Sequence, residues 1–310
     1  MLEETSCCLG CEKLDDLVCN SRDLLHNFPG LFNIVKCRKC SLMRTNPRPN
    51  VDSIGLYYPI DYGPYLGTII KENSSDSLIK HFIKALVTRL FNSNSTKIPD
   101  LMPSRMLEVG CASGSYLHEM AVKGWQVEGI EFSDMSAQAA RKFGYSVHSG
   151  PMESADYPEN SFDLIVGWMV LEHLYDPVLG LKKLCKWAKP EAMLVLSVPN
   201  AGSAEFSLFR DKWYALQVPT HMYHFTPQSL LKVLEFSGWR LDKVYHQRTI
   251  SNLIASIGYV LTEKGYSKIG KKLINFPDQG GRLFYIMYPI SWLLSLFGQT
   301  GRMTVWATRA

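Results

Sequence analysis

The chain has 310 residues, 46% of them hydrophobic and 20% charged, the ordinary balance of a globular protein long enough for one large domain with an appendage. Its net charge of +4 is too mild for a nucleic-acid-binding face, and its eight cysteines are too sparse for a disulfide scaffold. The opening MLEETSCCLG carries no basic leader or apolar run, so the expected compartment is cytoplasmic.

Two cysteine pairs come first. Cys8-x-x-Cys11 and Cys37-x-x-Cys40 stand with 25 residues between them. A pair two residues apart offers both thiolates to one metal from a tight turn, and two such turns complete a tetrahedral four-sulfur zinc site. A closed site of this kind is structural. Residues 1–60 are therefore expected to form a zinc-ribbon-like module with Cys8, Cys11, Cys37 and Cys40 as ligands, although Cys7 can replace Cys8. Cys19 is a spare. Tyr57, Tyr58, Pro59, Tyr62, Pro64 and Tyr65 then read as an extended segment laid across another surface. LIKHFIKALVTRLF (78–91) has apolar residues at helical spacing with Lys80, Lys84 and Arg89 between them. It is expected to pack on its own domain, with a lid or a membrane-surface helix as alternatives. Residues 61–100 thus form a linker with an amphipathic helix.

From Arg105 the pattern changes. Strand-like runs at 105–110, 125–131, 145–148, 162–168 and 192–198 alternate with helical stretches at 114–123, 134–143 and 177–188. Such alternation builds an α/β, Rossmann-like doubly wound sheet, and ligands bind at the carboxyl ends of its strands where strand order reverses. Residues 101–310 are read as this domain, with an apolar insertion at about 250–300. LFYIMYPISWLLSLFG (283–298) is 16 residues long and contains Pro289, too short for the ~20 residues of a bilayer span. A buried or substrate-covering helix is expected there. The alternative is an interfacial surface that admits a hydrophobic acceptor and peripheral membrane contact.

The first strand runs into EVGCASG (108–114), an acid and two glycines with little bulk between them. Gly110 allows a sharp turn, and Gly114 lets a helix start close to a ligand. Glu108 suits a cationic portion of that ligand. Glu131 lies 21 residues after Gly110, at the end of the second strand, where a carboxylate can accept both hydroxyls of a ribose.

Residues 105–200, through EVGCASG, VEGIEFS, PMESADYPENSFDLIVGWMVLEHLYDP and LVLSVPN, resemble a class I S-adenosylmethionine-dependent methyltransferase. The likeness continues through PTHMYHFTPQSLLKVLEFSGW (219–239). Within that superfamily the chain is similar to the UbiG-like (methyltransferase type 23) branch, whose members often carry an N-terminal cysteine-paired zinc segment. The resemblance implies seven strands, the last of them RMTVWATRA (302–310) running antiparallel, with the insertion between the last two. It also implies S-adenosyl-L-methionine as cofactor. Glu108 and Gly110 would then border its methionine part, with Gly114 opening the floor beneath it and Cys111, Ala112 and Tyr116 also against the cofactor. Glu131 would hold the ribose, and Phe132, Met152 and Glu153 would meet the adenine. Trp168 would sit near the sulfonium. Many relatives have an acid where this chain has Pro151.

Methyl transfer from a sulfonium is an in-line displacement, and positioning supplies much of its acceleration. A hydroxyl or acidic-carbon nucleophile must also lose a proton, for which histidine is suited. His221 and His224, in an aromatic loop beyond the fifth strand, are the candidate bases, with His173 a third. The acceptor is expected to be a small molecule, a sugar or a lipid-linked compound. The alternative function is a zinc-ribbon interaction protein whose methyltransferase fold is weakly active or inactive.

Overall fold

The structure, a computed structural model, describes residues 1–12, 14–58, 91–279 and 283–310. The expected amphipathic helix, apart from Phe91, and the segment with Tyr62, Pro64 and Tyr65 lie outside the described residues.

The N-terminal module consists of β1 (Leu2–Glu3), β2 (Asp15–Ser21), β3 (Phe32–Cys37), β4 (Met43–Thr45) and β5 (Arg48–Pro49). β2, β3 and β4 form an antiparallel sheet, and β1 pairs with β5. β3 alternates buried Phe32 and Ile34 with half-buried neighbours, the period of a strand with one face on a core. That core is shared: Phe32, Ile34 and Met43 pack with Ala201, Phe206, Trp213, Leu216 and Val218.

The main sheet contains β6 (Arg105–Val109), β7 (Gln126–Glu131), β8 (Ser146–Ser149), β9 (Phe162–Trp168) and β10 (Ala188–Pro199), all parallel. β11 (Tyr223–His224) leaves this sheet, and β12 (Trp239–His246) and β13 (Arg302–Arg309) complete it. The order is β12-β13-β10-β9-β6-β7-β8 among the described residues, with β13 antiparallel to β10 and β12. β9, FDLIVGW, is buried along nearly its whole length, as a central parallel strand covered on both faces must be. Strand order reverses between β6 and β9, so their carboxyl ends open a crevice.

Helices α1 (Ser115–Val122), α2 (Asp134–Lys142) and α3 (Pro177–Trp187) cover the sheet. Ser133 caps α2 by accepting from the Ser136 amide, and Asp176 caps α3 ahead of Pro177, each side chain satisfying a donor the helix leaves free. α4 (Ala204–Phe209) and α5 (Pro227–Phe236) flank β11.

The insertion between β12 and β13 forms α6 (Ser251–Glu263), α7 (Ser267–Ile274), α8 (Phe276–Gln279) and α9 (Leu283–Leu296). The expected burial of α9 is only half met. Met287 and Leu294 pack against Ile250, Ile254 and Phe276, whereas Ile286 is 71% exposed, as is Phe297 just beyond the helix. The helix is apolar on more sides than this cluster covers. No helix among the described residues is long and apolar enough to cross a membrane.

Candidate functional site

At the end of β6 the backbone turns through left-handed positions at Gly110 (φ 72°) and Ala112 (φ 47°), and Gly114 (φ 83°) caps α1. A Cβ at Gly110 would run into the Val170 side chain, and one at Gly114 would lie 2.9 Å from the Ala140 Cβ. Gly114 is therefore required by the packing of α1 against α2, a reason independent of any ligand. Met169, just after β9, is also left-handed (φ 58°). Sparsely populated backbone of this kind concentrates at sites.

Glu108, Gly110, Cys111, Ala112, Tyr116 and Trp168 line one cleft of about 260 Å³, which Ser115 and Glu119 complete. Those last two follow from helical spacing once α1 is placed, since residues three and four apart share a face. The Tyr116 and Trp168 rings meet edge-on at 5.2 Å. Glu108 is buried with Oε2 lacking a hydrogen-bond partner among the described residues, and Trp168 Nε1 is an unpaired donor. Burial above all, then Glu131 and Glu119, pushes the Glu108 carboxyl well above the usual carboxylate range. A cation placed beside it would reverse that shift. A buried acid with one oxygen left unpaired at the cleft fits the amino group of S-adenosylmethionine.

Glu131 lies beneath the turn. Its Oε2 accepts from the Ala112 amide and its Oε1 from the Ser133 amide, both at 2.8 Å. Each oxygen keeps a second lone pair for a ribose hydroxyl. Phe132 is exposed beside it. Glu153 is exposed in the short turn Met152–Ser154, while Met152 is buried with its sulfur toward Gly180 of α3.

The second cluster begins four residues after Trp168. Glu172 and His173 sit in a single helical turn, Leu171–His173. His173 and His221 meet ring to ring at 4.6 Å and 85°. Glu172, His173 and His221 each bring one ligand atom within 4.8 Å of the others. The His221 Nδ1–H donates to the Ala215 carbonyl at 2.9 Å, leaving Nε2 as an acceptor. His173 Nδ1 lies 3.0 Å from both the Thr220 carbonyl and the Tyr58 hydroxyl. His224 turns the other way, with Nε2 3.1 Å from Thr45 Oγ1. Of the three candidate bases, His173 and His221 come together and His224 does not join them.

Glu172 is the residue sequence reasoning missed. Nothing in VLEHLYDP sets this acid apart, yet Glu172 is fully buried and neither oxygen has a partner among the described residues. Burial pushes its carboxyl up to about 8 and pushes His173 down to about 4 and His224 to about 3. His221 falls well below the ordinary imidazole range through burial, then through His173 and His224. All three rings are thus neutral at pH 7. A carboxyl beside unprotonated ring nitrogens keeps its own proton or shares a cation with them.

Between the unfolded carboxyl value near 4.3 and its folded value of about 8, Glu172 binds more protons folded than unfolded. Its contribution is present at low pH and lost as pH rises through that window. Glu172→Gln is expected to flatten the fall in unfolding free energy between pH 6 and 8, by on the order of a few kcal/mol at most. An unchanged slope would place the buried proton elsewhere. Below about pH 6.5 the depressed histidines act oppositely, because the unfolded chain takes up protons that the fold refuses.

In the N-terminal module the Sγ atoms of Cys7, Cys11, Cys37 and Cys40 lie within 4.8 Å of one another, with Cys7 and Cys40 3.4 Å apart. Cys8, expected among the ligands, is outside this group and Cys7 stands in its place. The turn closed by Gly10 N–H donating to the Cys7 carbonyl starts one residue earlier than the C-x-x-C spacing implies, and Cys8 turns toward Tyr223. Four converging thiols without a carboxylate or imidazole among them fit zinc. Cys7→Ser is expected to release the metal and Cys8→Ser to retain it, read by elemental analysis of the purified variants.

A family model described as "Methyltransferase domain" matches residues 76–244. That is more than half of the chain, which belongs to this family. Sheet and family together make it an S-adenosylmethionine-dependent methyltransferase. Among curated proteins it is 27% identical over 165 residues to the ubiquinone biosynthesis O-methyltransferase of Xanthomonas oryzae pv. oryzae, covering 50% of this chain and 68% of that one. The enzyme of the same description from Xanthomonas euvesicatoria pv. vesicatoria is 29% identical over 170 residues, 52% of this chain and 70% of its own. Among solved structures, an S-adenosylmethionine-dependent methyltransferase from Mesorhizobium loti aligns with 68% of this chain and 94% of its own at 16% identity and a TM-score of 0.46.

Proposed function

We propose that the chain transfers a methyl group from S-adenosylmethionine to a hydroxyl of a small-molecule, sugar or lipid-linked acceptor, with His221 as general base and one structural zinc held by Cys7, Cys11, Cys37 and Cys40. One observation carries this reading. The turn bearing Glu172 and His173 follows within five residues of Trp168 at the cleft and gathers His221 beside it. The acceptor oxygen attacks the sulfonium methyl in line, the carbon–sulfur bond breaks, and the hydroxyl proton passes to Nε2 of the neutral imidazole. Glu108 holds the cofactor's amino group and Glu131 its ribose. The two relatives named as ubiquinone biosynthesis O-methyltransferases support an aromatic hydroxyl on a hydrophobic tail. Exposed Ile286 and Phe297 support peripheral contact with a lipid surface that would carry it.

The test is methyl transfer from labelled S-adenosylmethionine to a polyprenylated catechol in detergent micelles, beside an untailed catechol and a nucleotide sugar. Transfer to the tailed catechol at the highest kcat/KM is expected. Preference for the sugar would replace the acceptor class. Binding of the cofactor with no transfer to any of them would favour the interaction-protein alternative.

A further inference from the structure

The strip Thr220–His224 is clamped from two sides. On one side the Met222 amide donates to the Glu172 carbonyl at 2.8 Å, and the Thr220 carbonyl meets His173. On the other, β4 pairs antiparallel with β11, Arg44 opposite Tyr223 and Met43 opposite His224. β4 is the return strand of the turn that carries Cys37 and Cys40, and that turn is closed by Ser41 N–H donating to the Cys37 carbonyl and Cys37 N–H to the Leu42 carbonyl. The last residue of β4 is Thr45, wholly buried. Its amide donates to the Met222 carbonyl at 2.9 Å and its hydroxyl to the His221 carbonyl at 2.8 Å. A hydroxyl has one proton to give. Toward His224 Nε2 at 3.1 Å it must therefore accept, which fixes His224 as the Nε2–H tautomer.

We infer that Thr45 is a positioning residue that ties the four-cysteine group to the histidine strip, so that metal in the cysteines sets the position of His221 and the tautomer of His224. The cysteine module is then one wall of the acceptor half of the site. The cofactor half, built by β6, α1 and β7, makes none of these contacts. The consequence for turnover rests on the proposed role of His221; the spectroscopic consequence does not.

The test uses the full chain with ¹⁵N-labelled histidine and long-range proton–nitrogen spectra. Thr45→Val, close in shape, is expected to release His224 into a mixture of tautomers and to lower turnover by about ten- to a hundred-fold, with zinc content and cofactor affinity unchanged. Thr45→Ser should restore the single tautomer. Chelation of the unmutated protein should shift both His221 and His224 signals and leave S-adenosylmethionine affinity within about two-fold. An Nε2–H His224 persisting in Thr45→Val, or histidine spectra indifferent to chelation, would overturn the assignment. Loss of cofactor affinity on chelation would also overturn it, since the metal would then support the whole fold. A tautomer change with undiminished turnover would leave Thr45 in place and remove His221 from the chemistry.

Discussion

Replacing His221 with alanine is expected to lower turnover by about 10²–10⁴-fold, the ordinary contribution of a positioned base, while S-adenosylmethionine binding stays nearly intact. The ring lies beside His173 and Glu172, apart from the residues that line the cofactor cleft. Its Nδ1–H is committed to the Ala215 carbonyl, so Nε2 is the atom free to take a proton. Burial and the neighbouring imidazoles hold its proton affinity well below the ordinary imidazole range. The ring is therefore in its basic form throughout the neutral region. The acid limb of the pH–rate profile is expected below pH 6.5, on the side to which the ring is shifted. Initial rates from pH 4.5 to 8, with the fold monitored at each point, check both claims. Full turnover of His221→Ala across that range would remove the base, and methyl transfer would then depend on positioning.

Glu131→Ala is expected to weaken S-adenosylmethionine binding ten-fold or more. Hydrogen bonds to a charged acceptor contribute about 1.5–3 kcal/mol each, and two ribose hydroxyls would lose their partner. The same substitution unties the Ala112 and Ser133 amides, so the turn above the cleft also loses its anchor. Calorimetric titration separates the two contributions if Glu131→Gln is measured beside it, since the amide oxygen still accepts from one backbone donor. Affinity for the cofactor unchanged in both variants would mean that the ribose lies elsewhere. If Glu131→Gln binds like the wild type while Glu131→Ala does not, anchoring of the turn dominates over the ribose.

Most of the main sheet is legible along the chain. The run FDLIVGW becomes β9, and the alternating strands and helices from Arg105 fall within a residue or two of their expected limits, except that β10 starts at Ala188, four residues before the expected 192, because hydrophobic period is a local property that burial then enforces. The turn at EVGCASG is legible for the same reason: positive φ at Gly110 and room for a close neighbour are written in residue type. Glu131 could be singled out because a strand's length sets where its carboxyl end falls.

Other features depended on contacts between distant parts of the chain. Cys7 and Cys8 are equivalent in spacing arguments, and only the turn at Gly10 decides which thiol faces Cys37 and Cys40. The turn begins at Cys7, and that one-residue offset exchanges ligand and bystander. β11 is two residues long and has no period to detect; it exists because β4, nearly 180 positions earlier, offers its edge. Nothing in the sequence sets Glu172 apart until the strip Thr220–His224 covers it. Composition and period by themselves determined the parallel strands and the turn at EVGCASG, while the antiparallel last strand was implied by the family resemblance. The grouping of His173, His221 and Glu172, and of the four cysteines, was decided by tertiary structure, because each is brought together by pairings between segments that carry no mark of one another.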